Sequence, residues 1–329
     1  MSSPISVALV LGSGGARGYA HIGVIEVLEE RGFDVVAVAG SSMGALVGGV
    51  YAAGSLNTYS AWARGLSQID VVRYLDVSLS APGAIRAERV LSTVRELIGS
   101  VKIEELPIAY TAVATDLGAQ KEVWFQRGSL ETAIRASIAI PGVITPVMLN
   151  GRLLADGGIL NPVPIAPTSS VQADLTFAVS LGGERVSAGA PVLETAEQRP
   201  VDEWIDRFRR TTSSLMDREL VRSVLARFSS SEDAEALPSA IDDDDFDPLP
   251  AGLSKFDMMS QTLDAMQSVL GRYRLAGYPP DILVTVPKDA CRSLDFHRAA
   301  EMIDLGRALA IEAIDGADLG TANSSFEPG

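Results

Sequence analysis

At 329 residues the chain is long enough to bury a sizeable core, and 47% hydrophobic residues with 30 Gly and 17 Pro is ordinary for a globular α/β protein. A net charge of −15 argues against nucleic acid, whose phosphates need Lys and Arg, and against electrostatic docking on anionic lipid, although a local apolar patch can still touch a membrane. The single cysteine, Cys291, excludes an internal disulfide and a cysteine-based zinc site, and it suits a reducing compartment.

The opening residues have no basic start and too short an apolar run for a signal peptide, and no run of about eighteen apolar residues occurs. A cytoplasmic location is expected, with any membrane contact transient and at the inner face. Residues 5–11 form a continuous apolar run that suits a strand buried on both faces. Residues 19–31 then place Ile22, Val24, Ile25 and Leu28 at helical spacing, and Gly32 follows as a C-cap. A second buried strand is expected over 35–39 and a helix of small residues over 43–53. Strand–helix–strand–helix in short order implies parallel pairing with right-handed crossovers.

Further along, helices are expected over 57–66 and 87–98, joined by a turn at Ala81-Pro82-Gly83. Core strands follow at 107–115 and, more exposed, at 121–126. A helix over 129–139 has Ser129 as N-cap and Glu131 in its first turn. A hairpin pairs 147–149 with 152–155 around Asn150-Gly151. Another core strand covers 175–181. Residues 184–199 read as loop, 201–228 as a long charged helix, and 229–250 as an acidic, proline-bearing surface loop. Its run Asp242-Asp243-Asp244-Asp245 lacks the alternating ligands, central Gly and terminal Glu of a calcium loop. A helix over 255–273, a strand over 281–286 and an amphipathic helix over 296–314 complete the pattern, before a frayed tail at 316–329.

Two glycine-rich turns carry the chemistry. Gly40-Ser41-Ser42-Met43-Gly44 fits the G-x-S-x-G frame of a nucleophile elbow, between a strand and a helix. Gly40 and Gly44 let the chain reverse without Cβ clashes and expose the Ser42 hydroxyl, and the helix N-terminus adds positive potential where negative charge develops. The plainer alternative is a tight turn with a serine N-cap, a role that Ser41 fits equally. The earlier turn, Gly12-Ser13-Gly14-Gly15-Ala16-Arg17-Gly18, offers backbone N–H groups to an anion. As a dinucleotide fingerprint it fails: counting from Gly12 puts Arg17 in the sixth place, and the next strand ends without an acid. No Gly-Lys-Ser/Thr of a phosphate-binding loop occurs.

A serine nucleophile needs a base. The chain has two histidines, His21 and His297. Ser42, Asp156 and His297 stand in the order of an α/β-hydrolase triad, but His297 opens a charged helix where a solvated role is usual, and His21 reads as a packed core residue. A desolvated aspartate can serve directly, because burial raises a carboxyl's pKa. Asp156 follows an apolar run and precedes Gly157, Gly158 and a constrained Asn161-Pro162; the plain reading of the same residues is an Asp-Gly turn.

Taken together, GSGGARGYAHIGV (residues 12–24), GSSMGALVGG (40–49), Pro141-Gly142 with Pro146-Val147, DGGILNPVP (156–164) and the last helix resemble the patatin-like phospholipase family, especially its bacterial members. The resemblance covers roughly residues 5–183 and 278–314. It implies one domain with a three-layer α/β fold, a mostly parallel central sheet with helices on both faces, and an insertion over about 184–254. It also implies a Ser-Asp dyad without histidine, Ser42 as nucleophile and Asp156 as base. Backbone N–H groups around Gly14, Gly15 and Ala16 would form the oxyanion hole, with Arg17 holding the loop through Gly18. Ser13 departs from the family pattern, where many members carry glycine.

The expected activity is hydrolysis of lipid acyl esters through an acyl-enzyme, with no cofactor and no metal, and so insensitive to EDTA. Rival readings keep the dyad but change the outcome, to an acyltransferase or acyl-thioesterase, or demote it to a regulatory scaffold with weak catalysis. The acyl chain, the natural lipid and the oligomeric state are not encoded in any motif.

Overall fold

In the computed structural model, residues 3–74, 88–184 and 255–317 are described. The turn expected at Ala81-Pro82-Gly83, the helical pattern over 201–228, the acidic stretch over 229–250, and most of the loop at 184–199 and of the tail lie outside them.

An eight-stranded sheet forms the centre. Five strands run parallel: β1 (Ser6–Leu11), β2 (Asp34–Ser41), β3 (Ala109–Asp116), β7 (Leu175–Gly183) and β8 (Ile282–Pro287). The order β3-β2-β1-β7-β8 places β1 in the middle, where the chain departs to either side. Crevices at the carboxyl ends of such strands are the usual ligand sites of α/β sheets. The remaining strands, β4 (Lys121–Phe125), β5 (Val147–Leu149) and β6 (Arg152–Asp156), add antiparallel pairings beyond β3. Asn150 and Gly151, at φ 50° and 76°, turn the β5–β6 hairpin, as an Asn-Gly pair in a primed turn does.

β3 organises this end of the sheet. Ala112 faces both Gly40 of β2 and Phe125 of β4, so those strands flank β3 on opposite edges. Ala114 faces both Val123 of β4 and Asp156 of β6, so β6 lies on the β2 edge, beyond the point where β2 stops.

Alternation along β1 separates the layers. Val7, Leu9 and Leu11 join the large core under α1 (Ala20–Glu30), α2 (Met43–Ala52), α3 (Leu56–Arg64), α5 (Glu88–Ile98), α6 (Leu130–Ser137) and α8 (Ala299–Gly316). Val10 faces the other way, with Ala178, Val163 and Ile165, against Leu275 of α7 (Lys255–Gly277). Helices therefore cover both faces, unevenly. α1 and α8 touch backbone to backbone: a Cβ on Gly23 would lie 2.0 Å from the Ile303 carbonyl oxygen, and one on Gly306 2.0 Å from that of Ala20.

The expected elements differ from these mainly at their ends. The helix expected from residue 19 is preceded by a tight 3-10 turn, Gly15–Tyr19, that extends the glycine loop. Similarly, Phe296–Arg298 is a 3-10 turn before α8. A short helix, α4 (Gln68–Tyr74), was not expected; Tyr74 packs edge-on against Trp62 at 5.5 Å, a tertiary contact that local periodicity cannot reveal. Among the described residues no helix is long and apolar enough to cross a membrane.

Candidate active site

Ser42 sits between the end of β2 and the start of α2, at φ 56° and ψ −124°. That backbone conformation is costly for a residue with a Cβ and survives only where its surroundings impose it. They do so by close approach. A Cβ on Gly44 would lie 2.0 Å from the Leu11 carbonyl oxygen, and one on Gly40 2.3 Å from that of Gly44. The Ser42 N–H donates to Ser137 Oγ at 3.0 Å, and Ser137 donates in turn to the Val113 carbonyl at 2.6 Å. Although Ser42 occupies the N-cap position of α2, its hydroxyl makes no capping bond. The alternative cap, Ser41, is not one either: its hydroxyl donates to the Asn161 carbonyl at 2.7 Å.

Asp156 is the last residue of β6 and is 1% exposed. Its N–H donates to Ala139 O at 2.9 Å, and its carbonyl accepts from Thr115 Oγ1 at 2.9 Å. Oδ1 accepts the Gly158 N–H at 2.8 Å, whereas Oδ2 has no hydrogen-bond partner among the described residues. Burial pushes the carboxyl up from 3.8 to about 7, against the opposing pull of the Ser42 hydroxyl and the Gly158 N–H. A carboxyl poised near neutrality, with one oxygen uncommitted and a serine hydroxyl in its field, has the properties of a general base. Gly157 and Gly158 admit no side chain here. Their Cβ atoms would lie 2.0 Å from Val113 O and 2.3 Å from Ser13 Oγ. Ser13 thus packs on a glycine of the aspartate turn.

The glycine loop leaves β1 and is pinned at three donors. Gly12 donates to Val179 O at 2.9 Å, Ser13 to Pro162 O at 2.8 Å, and Ala16 to Ser293 O at 2.9 Å. The Ala16 N–H is therefore committed to the protein, whereas among the described residues the backbone N–H groups of Gly14 and Gly15 have no such bond. Arg17, 6% exposed, curls back on the loop: Nε donates to Gly14 O at 3.2 Å, Nη1 to Lys288 O at 2.7 Å, and Nη2 lies 3.6 Å from Asp264. Gly18 lies against Met43, where a Cβ would come within 2.4 Å of the methionine's own.

The two histidines lie apart from this chemistry. His21 is fully buried beneath the loop, with Nε2 2.8 Å from Gly12 O. Burial lowers its pKa to about 4 and keeps it neutral, so Nε2 carries the proton it donates. His297 lies on the surface, 3.4 Å from Gln68. Among the described residues no three His, Cys, Asp or Glu side chains converge as metal ligands. A cleft of about 450 Å³ opens beside the aspartate turn, lined by Gln120, Lys121, Glu122, Trp124, Leu160 and Arg274; neither Ser42 nor Asp156 lines it.

Three supporting groups escaped the sequence reading. Ser137, Thr115 and Glu122 hold the elbow, the aspartate and Asn161, and their partners lie dozens of residues away. For Ser137 and Thr115 the available signal was a hydroxyl inside an apolar element, and for Glu122 there was none.

Comparison with known proteins places these motifs. A family model described as patatin-like phospholipase matches residues 9–168. An NTE family protein of Mycobacterium tuberculosis is 52% identical over 95% of this chain and 92% of its own length. Human patatin-like phospholipase domain-containing protein 6 is 32% identical over 54% of this chain and 14% of its own. Among solved structures, VipD from Legionella pneumophila aligns over 95% of this chain and 67% of that one, with TM-score 0.42 and 14% identity.

Proposed function

The chain belongs to the patatin-like phospholipase family, and from that premise we propose that it is a serine hydrolase of lipid acyl esters with Ser42 as nucleophile and Asp156 as base. One observation carries the reading: a buried carboxyl raised to about 7, with Oδ2 uncommitted, at the end of the strand that meets the strained Ser42 turn. In the acylation step the Ser42 hydroxyl attacks the ester carbon while its proton passes to Asp156 Oδ2. The developing oxyanion is received by the N–H groups of Gly14 and Gly15, supported by the commitment of their neighbours' N–H groups elsewhere. Asp156 returns the proton to the departing alcohol. Water then attacks the acyl-enzyme, with Asp156 again taking the proton, and Ser42 is regenerated.

Arg17 takes no proton in this scheme. It holds the Gly14 carbonyl, and the Gly14–Gly15 peptide follows that carbonyl's direction. The test is a lipid-extract incubation comparing the wild-type chain with Ser42→Ala, read as fatty acid released and lipid consumed. Equal release by both proteins overturns the assignment.

A further inference from the structure

Asn161 lies five residues beyond the base and is completely buried. With Pro162 it touches all three pieces of the site through backbone or hydroxyl bonds. The Asn161 N–H donates to Gly157 O at 2.9 Å, in the aspartate turn. The Asn161 carbonyl accepts the Ser41 hydroxyl at 2.7 Å, in the elbow. The Pro162 carbonyl accepts the Ser13 N–H at 2.8 Å, in the glycine loop. No other dipeptide described above bonds to all three.

The side chain decides where this dipeptide sits. Asn161 Nδ2 donates to Glu122 Oε2 at 3.0 Å, while Asn161 Oδ1 has no partner among the described residues, so the carboxamide is held from one side. Glu122 is itself held by two further groups: Trp124 Nε1 donates to Oε2 at 2.9 Å, and Arg274 of α7 pairs with Oε1. Arg274 also donates to the Leu160 carbonyl at 3.2 Å, next to Asn161. Charge-assisted bonds to a half-buried carboxylate are stronger and more directional than neutral ones. The glycine loop is tied to the same helix by Arg17 and Asp264.

We propose that Asn161 is a positioning residue of the hydrolytic site: held by Glu122 and Arg274, it sets the approach of the Asp156 turn to the Ser42 elbow. The proposal rests on the hydrolase reading above. It assigns Asn161 no contact with substrate. A displacement of the base by a fraction of an ångström lowers turnover without weakening ground-state binding, because the acyl ester is bound by other surfaces.

The experiment measures kcat, KM and the pH profile of the full chain on a short p-nitrophenyl acyl ester, with fluorophosphonate labelling of Ser42 and a melting curve for each variant. For Asn161→Ser the expected result is a fall in kcat of roughly ten- to a hundred-fold, KM little changed, and a displaced pH midpoint. Glu122→Ala, altered on the far side of the relay, should reproduce that pattern, and Glu122→Gln, which retains an acceptor oxygen for Nδ2, should recover most of it. If Asn161→Ser does not fold, the two Glu122 variants carry the comparison. A lowered melting temperature with wild-type kcat and pH midpoint overturns the proposal and leaves the hydrolase intact. Wild-type activity no greater than that of Ser42→Ala overturns both.

Discussion

Ser41 and Asp156 face consecutive residues on one edge of β3, Val113 and Ala114, so the last residue of β2 and the last residue of β6 meet end to end. The spacing between the ends of β2 and β6 is thereby set by a backbone ladder, one strand step of about 3.3 Å, and not by the rotamers of two side chains. Side-chain changes at either dyad residue should leave that spacing intact.

Ser42→Ala and Asp156→Asn are accordingly expected to fold and to lose activity by about three orders of magnitude or more, each alone costing nearly as much as both together, as for groups that act as a unit. Hydrolysis of a p-nitrophenyl ester by the two single variants and the double variant checks this. Substantial turnover in either single variant contradicts the pairing.

Activity should follow the ionisation of Asp156. With its carboxyl raised from 3.8 to about 7, the basic form accumulates through neutrality, so log kcat/KM should climb with pH and level off above about 7. A plateau already reached near pH 5 would remove Asp156 as the base.

The same shift has a cost in stability. A carboxyl whose pKa is raised on folding destabilises the fold once the unfolded chain ionises and the native one resists, so stability falls as pH rises from about 4 to 7. The full effect is on the order of 4 kcal/mol. Asp156→Asn should therefore be more stable than the wild-type chain at pH 8 and match it near pH 4, in urea unfolding at both values.

His21 works in the opposite direction over much of that range. Its native pKa is lowered from 6.5 to about 4, so the stability it contributes is complete above 6.5 and is lost as pH falls toward 4. Between those limits the aspartate gains what the histidine loses. His21→Gln, which can still donate to the Gly12 carbonyl, should gain stability relative to the wild-type chain on going from pH 7 to 4.5. Parallel pH-stability curves for the two proteins would refute the assignment.

Gly157→Ala places a Cβ 2.0 Å from the Val113 carbonyl and should force the aspartate turn away from β3, costing on the order of 3 kcal/mol and most of the activity. Gly118→Ala, whose Cβ would meet only ordinary contact at 3.5 Å, serves as the neutral comparison by thermal melting and esterase assay.

How much of this was legible beforehand depended on the range over which each signal acts. The strands β1 and β2 announce themselves as unbroken Val-, Leu- and Ala-rich runs because both faces are covered, and the Asn150-Gly151 turn specifies its hairpin within four residues. The glycines of the two glycine-rich turns are equally local, since each answers a close approach that no side chain tolerates. What could not be read is the edge on which β6 joins β3, because β6 continues the line of a strand more than a hundred residues earlier. The direction of the Ala16 N–H was hidden for the same reason: its acceptor, Ser293, lies near the other end of the chain. Asn161 was visible as part of a constrained turn, but the carboxylate that holds it belongs to an unremarkable edge strand.

The glycine-to-backbone contact between α1 and α8 bears on when the glycine loop is completed as the chain is made. Synthesis runs from the N-terminal side, so the glycine loop and the Ser42 elbow are made before Asp156. The loop's anchors at Lys288 and Ser293, and the helix that seats α1 through Gly306, come later still. A nascent chain that already carries Ser42 and Asp156 thus lacks two of the glycine loop's anchors until the residues beyond Pro287 are made. On the hydrolase reading proposed above, chains truncated before Pro287 should consequently take up no fluorophosphonate at Ser42.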